Sequence, residues 1–208
     1  MNRSTTFEPE FNGKPILADK EKQLDCDTKI LNKIEEVFEH MTQKHSKVLF
    51  LRYDIRLPSG KSHSPDNKVF TRFQANFMKN LDRNGLDPHY VAVREQSKEK
   101  HQHYHVTLLL DGHKTQSPYG HIQKADELLA STLGAEHKGL IDGCWKNRNG
   151  EPQKNGIMLR KDDPEYAVKY DQCFQWASYL AKTNQKANCP KHKHEIFSSI
   201  IKEKGDTK

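Results

Sequence analysis

The sequence predicts an α+β fold, in which a central antiparallel sheet is built in the order β-α-β-β-α-β and is flanked by helices. Apolar residues recur at intervals of three and four in several segments, a spacing typical of amphipathic helices. Other segments alternate apolar and polar residues, which indicates strands with one buried face. The two middle strands are separated only by the polar residues 96–100, and so short a connection favours antiparallel pairing.

The first helix and the first strand are predicted from residues 27–57. The helix begins near Asp27 and ends near Lys44. Its apolar stripe consists of Ile30, Leu31, Ile34, Val37, Phe38 and Met41. The strand reads KVLFLRYDIRL, and its apolar residues alternate with charged ones, so that one face is expected to be buried. The charged face carries Arg52, Asp54 and Arg56.

The next elements follow the same two patterns. A second helix runs from about Phe70 and stops at Asn84-Gly85, two residues that often end helices. A strand follows at residues 89–95, and another at residues 101–110. A third helix is predicted over residues 120–133, then one or two strands within residues 139–161, and a last helix from about residue 163 to 183.

The chain is predicted to form one domain with a tail at each end. Residues 1–26 mix proline, glycine, asparagine and charges without a period, so they are expected to be a flexible lead-in. Residues 27–185 would form the α+β domain, and residues 186–208 a basic C-terminal tail. A length of 208 residues suits one such domain.

Composition limits the partners and the compartment. The net charge of +6 and the pI of about 9.0 favour a polyanionic partner, although a soluble basic protein without one has the same charge. The four cysteines show no paired spacing and the first residues show no apolar signal region, so we expect a reduced, cytoplasmic protein. No apolar run approaches the length of about 20 residues that spans a membrane.

Three histidines alternate along one strand, in the stretch HQHYHVTLLL. His101, His103 and His105 would project to one side, because side chains two apart on a strand share a face. Glu95 ends the neighbouring strand, and the short turn would bring it alongside His103. Imidazoles beside a carboxylate can bind a divalent metal, although a bare H-x-H pattern fits a polar strand face equally well.

The last helix offers a candidate nucleophile. Tyr166 and Tyr170 fall on its apolar stripe and are expected to serve packing. Tyr179 lies nearly opposite that stripe, and Lys182 follows three residues later on the same face. A nearby ammonium group stabilises a phenolate, and a phenolate can attack phosphorus.

The segments REQSKEKHQHYHVTLLL and SYLAKTNQK, together with the strand VLFLRYDIR, resemble the HUH endonucleases. More narrowly, they resemble the replication proteins of filamentous phages and their prophage relatives of the YagK/YfjJ type, over about residues 45–190. The resemblance implies a ferredoxin-like or RRM-like sheet. It also implies that Glu95, His103 and His105 bind the metal, that Tyr179 is the nucleophile and that Lys182 assists it. Tyr166 and Tyr170 are reserve nucleophiles, because YAVKY resembles the segment of two-tyrosine phage initiators.

The resemblance implies a reaction as well. Mg²⁺ or Mn²⁺ would polarise the scissile phosphate of single-stranded DNA, and the tyrosine would form a 5′-phosphotyrosine link at the start of rolling-circle replication. No helicase domain follows in this sequence, so a host helicase and a host polymerase would act with it.

Three other functions fit parts of the sequence. The first is a catalytically inactive nucleic-acid-binding or regulatory prophage protein with the same fold. The second is a two-histidine phosphoesterase, suggested by the H-x-T units at His105 and His113, which are however only eight residues apart. The third is a zinc site in CPKHKH, at Cys189, His192 and His194, for which a second half-site is missing nearby.

Overall fold

The computed structural model describes residues 3–57, 66–95, 102–134, 139–147, 149–184 and 194–201. The helices are α1 (Thr28–Lys44), α2 (Lys68–Arg83), α3 (Tyr119–Leu133) and α4 (Tyr166–Ala177). The strands are β1 (Thr5–Thr6), β2 (Glu10–Phe11), β3 (Lys14–Pro15), β4 (Cys26–Asp27), β5 (Lys47–Arg56), β6 (His89–Glu95), β7 (His103–Asp111), β8 (Ile141–Asp142), β9 (Ile157–Arg160) and β10 (Ile196–Ser198). The predicted mixture of four helices with a large antiparallel sheet is confirmed.

The main sheet has six strands, all paired in antiparallel fashion. Its order is β10-β6-β7-β5-β8, and β9 pairs with the same edge of β5 as β8 does. Residues 96–101 between β6 and β7 lie outside the described residues, but the register of the two strands aligns Glu95 with His103, as predicted. The central position of β7 lets it carry side chains between those of β5 and β6.

Both faces of the central strands are buried. One face, called the α1 face below, packs against α1 and α4 through residues such as Phe50, Phe38 and Phe174. The opposite face packs against α2 and α3. The expectation that residues 47–57 would bury only one face was wrong, because α1 and α4 cover the second face as well.

The α1 face changes from apolar to polar along β5. Val48 and Phe50 lie in the core near the start of the strand, whereas Arg52 and Asp54 follow them on the same face. All four residues are at least nine-tenths buried. Charged groups are buried only where partners compensate for the lost hydration, so this end of the face requires such partners.

The two ends of the chain pack on the domain to a greater extent than their composition predicted. Within the segment expected to be a flexible lead-in, Ile16 and Cys26 are buried in the core, and β1 pairs with β4. In the segment expected to be a basic tail, β10 adds an edge strand beside β6. The predicted domain limits of 27 and 185 stay a prediction.

The last helix is shorter than predicted. It ends at Ala177 and continues as a 3-10 turn over Ser178–Ala181, after which Lys182 pairs with Cys26. The chain leaves the helix there because its backbone bonds to the N-terminal segment instead. No helix of the described ranges is long and apolar enough to cross a membrane.

The side chain of Asn155 forms hydrogen bonds with the backbone of β5 at the position between β8 and β9. Its side-chain oxygen accepts from the backbone N–H of Arg52 at 3.0 Å, and its amide donates to the carbonyl of Arg52 at 2.6 Å. The same amide donates to the carbonyl of Gly143, just after β8. One buried side chain therefore links β5 with the chain that follows β8.

Replacing Asn155 with alanine is expected to lower the free energy of unfolding by about 2–5 kcal/mol, because buried backbone groups of Arg52 and Gly143 would lose their partner. Urea melts followed by circular dichroism measure this loss. The matched control is Asn147→Ala, an exposed asparagine, which should cost less than about 1 kcal/mol. Equal stabilities for the two variants would contradict the assigned role.

Candidate functional site

Three central strands bring a polar cluster together on the α1 face. The register pairs Asp54 of β5 with His105 of β7, and Glu95 of β6 with His103 of β7. Because paired residues of neighbouring strands project to the same side, all four side chains share the α1 face. We call these four residues the polar cluster.

His105 is the centre of the polar cluster. Its Nδ1 lies 2.7 Å from a carboxylate oxygen of Asp54, and its Nε2 lies 3.0 Å from a carboxylate oxygen of Glu95. Burial by itself lowers the pKa of His105, but the hydrogen bonds to these two carboxylates raise it overall. Without a metal, the ring is therefore favoured as an imidazolium that donates to both.

Asp54 is held in its charged form. Burial by itself raises the pKa of this carboxyl, but the imidazoles of His103 and His105 and the charge of Arg52 together bring it far below its usual range. The Arg52 guanidinium lies 3.3 Å from the Asp54 carboxylate. A buried carboxylate that stays ionised is a suitable ligand for a hard divalent cation.

His103 has capacity left for a ligand. Its Nε2 is buried and has no hydrogen-bond partner among the described residues, and the nearest oxygen of Asp54 is 3.7 Å away. The rings of His103 and His105 lie 4.3 Å apart between centroids. A buried imidazole nitrogen without a protein partner is costly unless it binds something else.

Asp54, His103 and His105 can hold a metal ion together. One ligand atom from each lies within 4.8 Å of those of the other two. Two imidazoles and one carboxylate suit Mn²⁺ and related divalent ions. The residues present therefore fit a divalent metal ion, but the third ligand is Asp54 where the sequence predicted Glu95.

Cys144 is a neutral neighbour of the polar cluster. Burial and the negative charge of Asp54 raise the pKa of its thiol to about 12. In the absence of a metal, a thiol with so high a pKa is protonated near neutral pH and is a weak nucleophile. Cys144 therefore adds packing to the site, and the carboxylate of Asp54 remains the negative group.

Tyr179 lies against the polar cluster from the 3-10 turn. Its ring stacks edge to face on His105, with 5.0 Å between centroids. Two cations face the same ring, since the Arg52 guanidinium lies 4.7 Å and the Lys182 ammonium 4.9 Å from its centroid. The predicted proximity of Tyr179 and Lys182 is thus seen, although a 3-10 turn provides it.

Tyr166 and Tyr170 lie elsewhere. Both are on α4 and pack against the core beneath the α1 face, where the Tyr170 ring contacts Phe38 at 5.5 Å. Burial raises the pKa of the Tyr170 phenol, and the charges of nearby glutamates raise it further. Neither tyrosine shows a ring contact with the polar cluster among the described residues.

The residues of the other predicted sites either lie far from one another or lie outside the described part of the chain. His101, Cys189 and His192 lie outside the described residues. His113 is exposed and contacts Ser46 at 3.0 Å through its Nε2, whereas His105 is buried in the polar cluster. The two H-x-T units therefore do not face each other.

The positions of Asp54 and Arg52 beside the histidines were not predicted from the sequence. Both were assigned only to a polar strand face, because the pairing of β5 with β7 joins residues about 50 positions apart. The available signal was the aspartate itself, an ionisable residue in the middle of an otherwise strand-forming segment. Asp54 lies two residues from both Arg52 and Arg56, so the three side chains share one face of the strand.

The chain is similar to known proteins in sequence and in structure. A family model described as the YagK/YfjJ C-terminal domain matches residues 6–197. Among solved structures, the chain is similar to the catalytic domain of the adeno-associated virus type 5 Rep protein. The TM-score is 0.37 and the identity 11%, over 54% of this chain and 75% of that one. No curated protein matches the sequence significantly.

Mn²⁺ is expected to raise the melting temperature of the protein through the polar cluster. At 100 times the dissociation constant, the ion would stabilise the fold by about 2.7 kcal/mol, which corresponds to roughly 5 °C or more for a domain of this size. Differential scanning fluorimetry measures the shift. His103→Gln should abolish it, since that variant removes one of the three donors.

His113→Gln is the matched control, because this histidine is exposed and its side chain contacts Ser46, which is outside the polar cluster. It should keep the full Mn²⁺ shift. An unchanged shift in His103→Gln would show that the histidines form only a polar strand face.

Proposed function

Since the chain belongs to the YagK/YfjJ C-terminal domain family, we propose that it is a replication-initiator-like endonuclease of phage or prophage type. It nicks single-stranded DNA and becomes linked to the DNA through Tyr179. The observation that carries the proposal is the contact of the Tyr179 ring with His105, the central residue of a cluster that can hold a metal.

Asp54, His103 and His105 would hold the metal, Mg²⁺ or Mn²⁺. Glu95, the third ligand predicted from the sequence, is not in that group, and its carboxylate lies 3.0 Å from His105 Nε2 instead. When bound, the ion supplies Lewis-acid chemistry, because it withdraws electron density from an oxygen of the scissile phosphate.

Tyr179 supplies the nucleophile. Its phenolic oxygen attacks the phosphorus, a bond between this oxygen and phosphorus forms, and the bond from phosphorus to the 3′ oxygen breaks. The phenol loses one proton and the departing 3′ oxygen gains one, so the charge balances. The products are a 5′-phosphotyrosine link and a free 3′-hydroxyl, the group that a polymerase extends.

Two cations support this step. Arg52 and Lys182 both face the Tyr179 ring, within 5 Å of its centroid. Positive charge at this position offsets the negative charge that develops around the phosphate as the new bond forms. Arg52 is buried and also contacts Asp54, so it acts as a fixed charge between the nucleophile and the metal ligands.

The net charge supports a DNA substrate. A chain with a formal charge of +6 attracts a polyanion and releases counterions when it binds. Tyr179 and Lys182 are partly exposed, so both residues have surface that a strand can contact. A host helicase and a host polymerase remain partners expected from the family resemblance.

Tyr179→Phe is expected to abolish covalent linkage to DNA, because phenylalanine keeps the ring but has no oxygen to attack phosphorus. The measurement uses Mn²⁺ and a pool of labelled single-stranded oligonucleotides, followed by denaturing electrophoresis that detects a protein-DNA adduct. Tyr166→Phe and Tyr170→Phe are the matched controls and should form the adduct as the unmodified protein does.

Two results would overturn the assignment. An adduct that persists in Tyr179→Phe and vanishes in Tyr170→Phe would move the nucleophile to α4. Salt-dependent binding of the oligonucleotides without any adduct from the unmodified protein would make the chain a nucleic-acid-binding protein instead of a nuclease.

Lys182→Met is expected to slow adduct formation roughly 10- to 100-fold at saturating DNA, because it removes a charge about 5 Å from the phenol. Single-turnover rates from quenched samples measure this effect apart from binding. Lys182→Arg keeps the positive charge and should recover most of the rate. Equal rates for Lys182→Met and the unmodified protein would limit Lys182 to packing.

A further inference from the structure

A stacked aromatic pair lies at the start of α3, and its Trp145 packs against the core on the face of the sheet opposite the polar cluster. The rings of Tyr119 and Trp145 are 4.4 Å apart between centroids and only 15° from parallel. Tyr119 is 67% exposed even though Trp145 covers one of its faces. Burying such rings stabilises a fold, so an exposed stacked pair is a candidate contact for a partner.

The pair has a firm support on both sides. A Cβ atom at Gly143 would overlap the Trp145 indole, so the indole rests directly on the backbone there. On the Tyr119 side, the preceding residue Pro118 packs so closely on Gly156 that a Cβ at that glycine would overlap its ring. Tyr119 and Trp145 are therefore preorganised, which reduces the entropy lost on binding.

The backbone that supports Trp145 is joined to β5, the strand that carries Asp54, by hydrogen bonds and strand pairing. Asn155 bonds to the carbonyl of Gly143 and to the backbone of Arg52, and Asp142 pairs with Asp54. Three residues span at most about 11 Å and paired strands lie about 5 Å apart, so the Cα atom of Trp145 is within about 16 Å of that of Asp54. A single strand of a few nucleotides is long enough to cover that distance.

The charges near the pair suit a phosphate backbone. Lys146 follows Trp145 directly and is exposed, and Lys154 is exposed beside Asn155. The acidic residue of this loop, Glu151, accepts a hydrogen bond from Asn147 at 2.6 Å. Aromatic faces next to lysines are the combination that binds single strands, through base stacking and backbone attraction.

We infer that the open face of Tyr119 is a stacking site for an unpaired base of the single-stranded DNA whose backbone enters the polar cluster. This inference rests on the proposed function for the identity of the strand. It adds a base-binding site, formed by Tyr119 over Trp145, a few nucleotides away from the scissile phosphate.

The test compares two strands of equal charge. Fluorescence anisotropy, in a chelator so that the strand is not cut, measures the affinity for a labelled oligothymidine and for a matched strand with abasic sites. Tyr119→Ala should weaken oligothymidine binding about 5- to 150-fold, as one stacked base contributes. Tyr119→Phe should bind as the unmodified protein does, since it keeps the ring.

The abasic strand isolates stacking from charge. On it, Tyr119→Ala should bind as tightly as the unmodified protein, because no base is present to stack. Val168→Ala, which shortens another exposed apolar side chain at 69% exposure, is the control and should bind both strands normally. Normal oligothymidine binding by Tyr119→Ala, or an equal loss on both strands, would overturn the inference.

The adduct assay separates this inference from the proposed function. If Tyr119→Ala still forms the adduct at saturating DNA but binds oligothymidine weakly, both are supported. If the adduct forms and binding is unchanged, only the stacking site fails. If the unmodified protein forms no adduct while binding depends on Tyr119, the stacking site stands and the nuclease fails.

Discussion

The two hydrogen bonds of the His105 imidazole are the interaction on which the rest of the site depends. Through Asp54 and Glu95, this one ring joins the side chains of the three central strands. Side chains alternate along a strand, so a shift of one residue in either pairing would turn one carboxylate to the opposite, apolar face. The register of the sheet and the integrity of the site are therefore the same condition.

The buried charges have an energetic consequence for the fold. Taking Arg52, Asp54, Glu95 and His105 out of water costs hydration energy, and their mutual contacts offset that cost only in one arrangement. Losing one partner would leave a buried charge uncompensated. The apolar half of the α1 face, around Phe50 and Phe174, supplies the buried apolar surface that stabilises the strands.

Local patterns in the sequence predicted the main helices and strands well. They could not predict which elements pack against each other when these lie far apart in the chain. The alignment of Glu95 with His103 was foreseeable because only a short turn joins β6 to β7. The pairing of Asp54 with His105 was not, since nothing in the spacing of residues shows which strand lies beside β7. The cover on the second sheet face was missed for the same reason, as it depends on where α1 and α4 dock.

The N-terminal segment shows most clearly why the sequence could offer Tyr179 as a candidate nucleophile but could not predict its position. Leu17 donates its backbone N–H to the hydroxyl of Ser178, and Cys26 pairs with Lys182. These contacts hold the turn that carries Tyr179 from both sides, and they divert the chain from the helix that periodicity predicted. A segment whose composition indicated a flexible lead-in thus determines how close the phenol lies to His105.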